Sequence, residues 1–352
     1  MNSNPKLKIA LIAPPLSGHK YRGTGTYTKE LYQALLKIRE IEVKLIDIKD
    51  TINDFDLIHF PYFDPFFLTL PFVRVKPTVV TVHDLIPLRF PKYFPPGIKG
   101  RFKWQIQKFS LRNASGIITD SYASKEDIVR FTGITPDKIN VIYLGVDDEF
   151  GIIHDKGKLE KIRQNLYLPK EFILNVGEVN YNKNILGLIK VFRLLNKSHK
   201  ELNLVLVGNG FIKDSRELQE VTALIKESGL EKKIHRLGYI DKTDMMGVYN
   251  LAKVYVQVSF AEGFGLPVLD AMACGIPVVV SNSTSLPEIA GEAGLLVDPN
   301  NVKQISGSIS VLYSNKKMKE ELSEKGLERV KFFTWDKCAV QSLAVYQKAM
   351  RI

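Results

Sequence analysis

Short, continuously apolar runs alternate along this chain with longer stretches in which apolar residues recur every three or four positions. Lys8 to Ala13, Val43 to Ile46, Leu57 to Phe60, Thr78 to Val82, Gly116 to Thr119 and Asn140 to Tyr143 read as strands. Between the first two, Leu31, Ala34, Leu35 and Ile38 follow the i, i+3, i+4, i+7 spacing of a helix over about Tyr27 to Ile38, after a loop holding Gly18, Gly23 and Gly25. Strands apolar at every position and separated by helices predict a parallel sheet covered on both faces.

The pattern lapses from Gly145 to Pro169, a charged, weakly periodic stretch that reads as a linker, and then restarts. Strands are predicted at Phe172 to Val176, Asn203 to Val207, Ile234 to Leu237, Val254 to Val258, Val278 to Ser281 and Gly294 to Val297. Helices are predicted at Asn184 to Leu195, Ser215 to Ser228, Val302 to Tyr313, Lys317 to Val330 and Trp335 to Met350. A chain of 352 residues suits two domains, and the restart sets them at residues 1–165 and 166–334, both α/β and Rossmann-like, with a ligand cleft expected between them.

Composition narrows the class. Hydrophobic residues make up 45% and charged residues 25%, the profile of a globular protein with ample core material. The cysteines, Cys274 and Cys338, form no CxxC or Cys/His cluster, which argues against a disulfide framework or structural zinc and for a cytoplasmic setting. The N-terminal apolar run lacks a small-residue cleavage site and reads as a buried strand, and no stretch has the length and apolarity of a membrane span. Net charge is +11, which suits an acidic partner. The charge is concentrated from Ile86 to Arg112, where Arg89, Lys92, Lys99, Arg101, Lys103, Lys108 and Arg112 interleave with six aromatic residues and no acid. Two readings stay open: a surface resting on anionic membrane, or a solvated helix whose aromatics face the core.

Most of the chemical information lies between Phe260 and Val280. A strand ends near Phe260, a helix begins near Pro267, and Gly275 with Pro277 stops that helix. Gly263 and Gly265 let backbone amides approach a ligand closely, and the following helix N-terminus completes an anion site suited to a diphosphate. Glu262 and Asp270 flank that site. Carboxylates do not bind phosphate, but they accept hydrogen bonds from hydroxyls such as those of a sugar and a ribose. Glycine spacing by itself fits a plain strand-to-helix turn equally well.

The whole segment resembles family 4 of the retaining glycosyltransferases, whose signature is an acid, seven residues and a glutamate within EGFGLPxLEAMAxGxPV. Ser283 to Gly291, Ala293 with Gly294, and Val297 to Pro299 continue as that family does. The resemblance spans essentially the whole chain and implies the GT-B fold, two Rossmann-like domains with the C-terminal helix, 335–352, packing back on the first. It implies further that Lys183 pairs a phosphate and that Gly177, Gly208, Gly210, Gly263, Phe264, Gly265 and Leu266 line the donor. Glu262 would hold the sugar and Asp270 the ribose, Gly23 and Gly25 would cover the diphosphate and acceptor, and His83, Asp84 and Ser121 would serve the acceptor side. Leu237 to Tyr239 would begin the base pocket. The sequence departs from the family at Asp270, where glutamate is usual, and at Glu178 and Asn182, near which an arginine is common; Arg216 or Lys213 could supply the missing cation.

The mechanism implied needs no cofactor and no metal. Asp54 and Asp56 match a DxD pattern but precede a strand without the surrounding signature, and read as turn residues. His83 and His59 each end a strand; His83, at the carboxyl edge beside Asp84, is the functional candidate, while His59 reads as structural. The donor implied is GDP-mannose ahead of a UDP-hexose, by similarity to bacterial surface-polysaccharide mannosyltransferases. The acceptor implied is a glycan or lipid-linked sugar at the cytoplasmic face of a membrane. Other classes remain compatible: a sugar-nucleotide epimerase of the same fold, or a non-catalytic nucleotide-sugar-binding protein. A nucleic-acid binder accounts for the charge alone.

Overall fold

The computed structural model describes residues 6–14, 23–72 and 74–351. Gly18 lies outside the described residues. The chain divides into two compact units, Met1–Gly145 with Phe333–Ile352, and Val146–Phe332.

In the first unit, β1 (Leu7–Ile12), β2 (Ile41–Ile46), β3 (Leu57–Phe60), β4 (Thr78–Thr81), β5 (Gly116–Thr119) and β6 (Ile139–Val141) form one parallel sheet in the order β2-β1-β3-β4-β5-β6. The helices are α1 (Gly23–Leu36), α2 (Ile86–Arg89), α3 (Gly97–Arg112) and α4 (Tyr122–Thr132). Every residue of β3, β4 and β5 is buried, which is why their sequences lack the polar alternation of a half-exposed strand. α1 starts at Gly23, so Gly23 and Gly25 lie in its first turn rather than in the loop expected from the sequence.

The second unit opens with α5 (Lys156–Asn165), a helix inside the stretch expected to be linker. The first unit therefore ends at Gly145 and not at residue 165. α5 is hard to see in the sequence because Ile162 is its one buried residue, with Asp155 capping it through its carboxylate. Then follow β7 (Phe172–Val176), α6 (Ile185–Leu195), β8 (Asn203–Val207), α7 (Arg216–Glu227), β9 (Ile234–Leu237), α8 (Lys242–Leu251) and β10 (Val254–Gln257). The unit closes with α9 (Leu266–Ala273), β11 (Val278–Ser281), α10 (Leu286–Ala290), β12 (Gly294–Val297), α11 (Val302–Ser314) and α12 (Lys316–Val330). Its sheet is parallel, in the order β12-β11-β10-β7-β8-β9. One apolar cluster of this unit joins Leu188, Val191 and Phe192 of α6 to Ile305, Ile309 and Leu312 of α11.

The chain returns to the first unit as α13 (Trp335–Ala349). Only glycine fits at 145, because a Cβ there would stand 2.3 Å from the Trp335 amide nitrogen. Tyr346 of α13 reaches the buried His59 of β3: His59 Nδ1 lies 2.8 Å from the Tyr346 hydroxyl, and Nε2 lies 2.8 Å from Thr81 Oγ1. Tyr27 of α1 completes the chain of contacts at 2.9 Å from Thr81. Burial, with His83 nearby, pushes His59 down to about 3, so the ring is neutral and donates from one nitrogen while accepting at the other. His59 is thus a structural residue tying α13 to the sheet.

Candidate functional site

In the second sheet β7 and β10 are neighbours, and the chain leaves them in opposite directions. β7 leads to β8 and β9 on one side; β10 leads to β11 and β12 on the other. Loops after such a pair diverge and leave a crevice at their carboxyl ends, the usual ligand position in open parallel sheets. Both charged residues of greatest interest stand there. Lys183, in the turn after β7, places Nζ 2.8 Å and 2.7 Å from the two carboxylate oxygens of Glu262, in the loop after β10.

Glu262 is a buried carboxylate, 8% exposed, and its surroundings hold it in one orientation. Its Oε1 accepts from Gln257 Nε2 at 2.6 Å and from Ser259 Oγ at 2.6 Å as well as from Lys183. Its amide donates to Thr284 Oγ1 at 2.9 Å. Ser285 Oγ lies 3.0 Å from the Glu262 carbonyl oxygen and 2.6 Å from that of Phe264, and donates to the nearer. Among the described residues Oε2 accepts from Lys183 alone, so it keeps capacity for a hydroxyl donor. Lys183, with three N–H groups, retains one beyond the two that reach Glu262.

The turn that presents Lys183 is built by asparagines. Asn182 donates to the Ala261 carbonyl at 3.0 Å while its own carbonyl accepts from the Phe260 amide at 2.7 Å. Asn184 adopts φ 54° and donates to the Val258 and Pro299 carbonyls, each at 2.9 Å. Asn182, a departure from the family pattern, therefore joins the two loops of the crevice. Arg216, a candidate for the missing cation, has a side chain 87% exposed that pairs with Glu220 one turn along α7. Lys213 is likewise exposed.

The glycines serve close approach. A Cβ at Gly208 would stand 2.0 Å from the Gly177 carbonyl oxygen, and one at Gly210 would stand 2.6 Å from the Val179 amide nitrogen and 3.0 Å from Glu178 Oε2. The tips of β7 and β8 thus touch backbone to backbone. Gly265, at φ 122°, caps α9 without a side-chain hydrogen bond, and Pro267 stands in the first turn after Leu266. No side chain occupies this helix start, although Pro267 has no N–H and the Val268 amide already donates to the Gly265 carbonyl at 2.9 Å.

Asp270 lies further along α9, half-buried. Burial, reinforced by the nearby Asp147, pushes its carboxyl up to about 8, with Lys242 opposing. Lys242 is itself engaged by Asp147 at 2.5 Å and Glu149 at 2.9 Å. Asp270 is therefore largely protonated at neutral pH, able both to donate to and to accept from a pair of vicinal hydroxyls.

In the first unit, the adjacent strands β3, β4 and β5 deliver Pro61, His83 and Asp120 to one edge. His83 Nδ1 lies 2.6 Å from Asp120 Oδ2, and Nε2 lies 3.1 Å from the Pro61 carbonyl oxygen. Burial opposes charge on the ring, but the Asp120 carboxylate outweighs it and the His83 pKa is raised. Both partners are acceptors, so the arrangement suits an imidazolium donating from both nitrogens. Both ring nitrogens are thus engaged within the first unit. Asp84 accepts from the Ile86 amide at 2.9 Å, and Ser121 caps α4 by accepting from the Ser124 amide. Asp120→Asn is expected to lower the His83 pKa, since burial then acts without its counter-charge. NMR titration of the His83 ring measures this, and an unchanged midpoint would show that the pairing is idle.

The structure thus joins Lys183, Glu262, Gly177, Gly208, Gly210 and the start of α9 in one unit, with Asp270 on the same helix, and keeps His83, Asp84 and Ser121 in the other. Sequence reasoning missed Gln257, Ser259 and Asp120. A glutamine and a serine closing an otherwise apolar strand, and an aspartate directly after another, were the available signals. Asp56 accepts from the Lys8 amide at 2.8 Å, a turn role. Among the described residues no cluster of three His, Cys, Asp or Glu could hold a metal ion, and no helix is long and apolar enough to cross a membrane.

Residues 158–329 match the family described as glycosyl transferases group 1, and residues 45–150 match glycosyltransferase family 4. The O-antigen chain mannosyltransferase B of Escherichia coli is 33% identical over 278 residues, which is 78% of this chain and 71% of that protein. The serotype-specific mannosyltransferase WbdA of Escherichia coli is 28% identical over 73% of this chain, a match spanning 32% of that longer protein. Among solved structures, Anabaena HepE in complex with UDP-glucose superposes with a TM-score of 0.78 at 18% identity, over 98% of this chain and 100% of that one, which establishes the shared fold. With two GT-B-type Rossmann-like units, and with the acidic signature folded around a lysine at the switch point of the second, the chain belongs to the family 4 glycosyltransferases.

Proposed function

We propose that this enzyme transfers a hexose, mannose ahead of other sugars, from a nucleoside diphosphate donor to a glycan or lipid-linked acceptor in surface-polysaccharide synthesis, with retention at the anomeric carbon. The observation that carries the reading is the Lys183–Glu262 pair at the β7/β10 switch point, beside the uncapped start of α9. Lys183 and the positive end of α9 would receive the diphosphate, Oε2 of Glu262 a sugar hydroxyl, and Asp270 the ribose. As the bond from the anomeric carbon to phosphate oxygen breaks, negative charge builds on the diphosphate next to Lys183 and the helix start, which favours its departure. The acceptor hydroxyl forms the new bond from the same face and yields its proton to the departing phosphate. Phosphate is held here by a cation and a helix end, so no metal is invoked. The Escherichia coli relatives, both named mannosyltransferases, support mannose as the sugar.

The His83 imidazolium, fixed by Asp120, would add positive charge on the acceptor side. A thermal-shift panel with GDP, UDP, ADP, dTDP and their common sugars tests the donor reading. A ligand selective for the folded state at a hundred times its Kd stabilises it by about 2.7 kcal/mol, a shift of several degrees. Stabilisation by GDP and GDP-mannose above the others is the expected result. Response to the UDP series alone would move the donor to a UDP-hexose, and no response to any nucleotide at millimolar concentration would remove the donor-site reading.

A further inference from the structure

The first unit carries an apolar, basic-flanked surface that the transfer site does not use. α3 runs from Gly97 to Arg112, and at 3.6 residues per turn Ile98, Phe102 and Phe109 fall within about 40° of one another. All three point outward: Ile98 is 90% exposed and Phe102 70%, with Phe109 also exposed. The opposite face, through Gly100, Gln107 and Leu111, is the buried one. The aromatics at 102 and 109 therefore do not serve the core, which excludes for them the core-facing arrangement that the sequence left open. Lys99 and Lys103 flank the apolar stripe on one side and Arg101 and Lys108 on the other, with no acid between Ile86 and Arg112.

A neighbouring loop widens the stripe and is rigidly held. The buried Gln107 accepts through Oε1 from the Thr69 amide at 3.0 Å, the Thr69 hydroxyl at 2.8 Å and the Leu70 amide at 3.0 Å. Asp64 accepts from the Phe66 and Phe67 amides at 2.7 Å and 3.1 Å. These bonds fix the loop with Phe67, Leu68 and Phe72 outward. Phe72 stacks on Phe109 with centroids 5.5 Å apart, and the Lys103 ammonium stands 5.2 Å over the Phe67 ring, so loop and helix form one surface. An outward apolar stripe held by buried polar bonds and bordered on both sides by cations matches an interfacial helix: acyl chains meet the stripe and anionic headgroups meet the flanks.

We propose that this face of α3, with the loop at residues 64–72, seats the protein on an anionic lipid bilayer. Charge complementarity selects that occupant, because a second copy would bring the same cations against each other. The binding rests on the first unit's surface and needs neither nucleotide nor turnover, so its failure is distinct from failure of the donor site.

Co-sedimentation of the full chain with vesicles of phosphatidylcholine, or of phosphatidylcholine mixed with phosphatidylglycerol, tests it. Binding to the mixed vesicles, absent with neutral ones and weakened by salt, is the expected result. With each cation near an anionic surface worth about a fivefold gain, K99Q/R101Q/K108Q should weaken binding about a hundredfold. I98S/F102S should weaken it at least tenfold. Thermal melts report whether the variants remain folded; should they not, the comparison of the two vesicle types on the natural chain still decides. Equal binding to both vesicles, or none to either at low salt, overturns the proposal. So does loss of a dimer in sedimentation velocity when Ile98 and Phe102 are replaced.

Discussion

Lys183→Met is expected to cost about 3 kcal/mol of stability and to reduce turnover on the order of a hundredfold or more. The stability loss follows from Glu262. Its carboxylate is buried, and removing the lysine leaves the charge with Gln257 and Ser259 as its remaining side-chain partners. Breaking a buried pair from one side is far more costly than replacing both members, because the surviving charge keeps its desolvation cost without its counter-charge. Lys183→Met/Glu262→Gln should therefore melt several degrees above Lys183→Met alone while remaining inactive. Glu262→Gln alone should stay well folded and lose activity, since its amide offers a sugar hydroxyl a weaker acceptor than the carboxylate does. Thermal melts on the three variants, combined with donor-dependent turnover, separate the two roles. If the double variant melts no higher than the single one, the ion pair does not govern the stability of the crevice.

Asp270→Asn should flatten the dependence of stability on pH. The folded-state carboxyl stands at about 8, against about 3.9 for an unfolded chain, so between those values the folded protein binds a proton that the unfolded chain releases. Stability linked to this group is fully present below about pH 4 and is lost progressively as pH rises to about 8. A shift of this size corresponds to a few kcal/mol. The asparagine variant lacks the term and, set equal to the natural protein near pH 4, should exceed it increasingly up to about pH 8 to 9. Its affinity for nucleotide should fall chiefly above about pH 8, where the natural side chain ionises into a stronger acceptor for ribose hydroxyls than an amide is, and little at neutral pH, where the protonated acid and the amide both donate and accept. Denaturant titrations across pH check the first effect and calorimetry with nucleotide the second. Parallel pH profiles for the two proteins would mean that Asp270 does not titrate in that window. Asp270→Glu, which restores the residue usual in the family, tests whether the shorter acid has shifted the ribose contact.

Much of this architecture was legible in the chain. Leu57–Phe60, Gly116–Thr119, Phe172–Val176, Asn203–Val207, Ile234–Leu237, Val278–Ser281 and Gly294–Val297 are strands over the residues expected from sequence. Most of these are apolar runs between turn residues, and a parallel strand covered on both faces has no polar side to blur its limits. The long apolar-periodic helices, Ile185–Leu195 and Trp335–Ala349 among them, were equally readable. Helices with little buried surface were not. α5 was hidden by its polarity, and α8, with Gly247, Val248 and Tyr249 as its buried residues, carries no clear stripe.

The sequence by itself determined the period of each element, the amount of apolar surface each would bury, and the acidic, glycine-rich signature at residues 260–280. These are local properties, carried by the order of side chains within a few turns. Which groups meet was decided only in three dimensions. Nothing local tells that Lys183 faces a glutamate 79 residues away, that His59 bonds a tyrosine 287 residues away, or that Phe102 looks outward while Gln107 looks in. Those pairings follow from strand order. Only when β10 settles beside β7, with β8 and β11 on opposite flanks, do two distant loops share one crevice and place a cation, a carboxylate and a helix end around the same small volume.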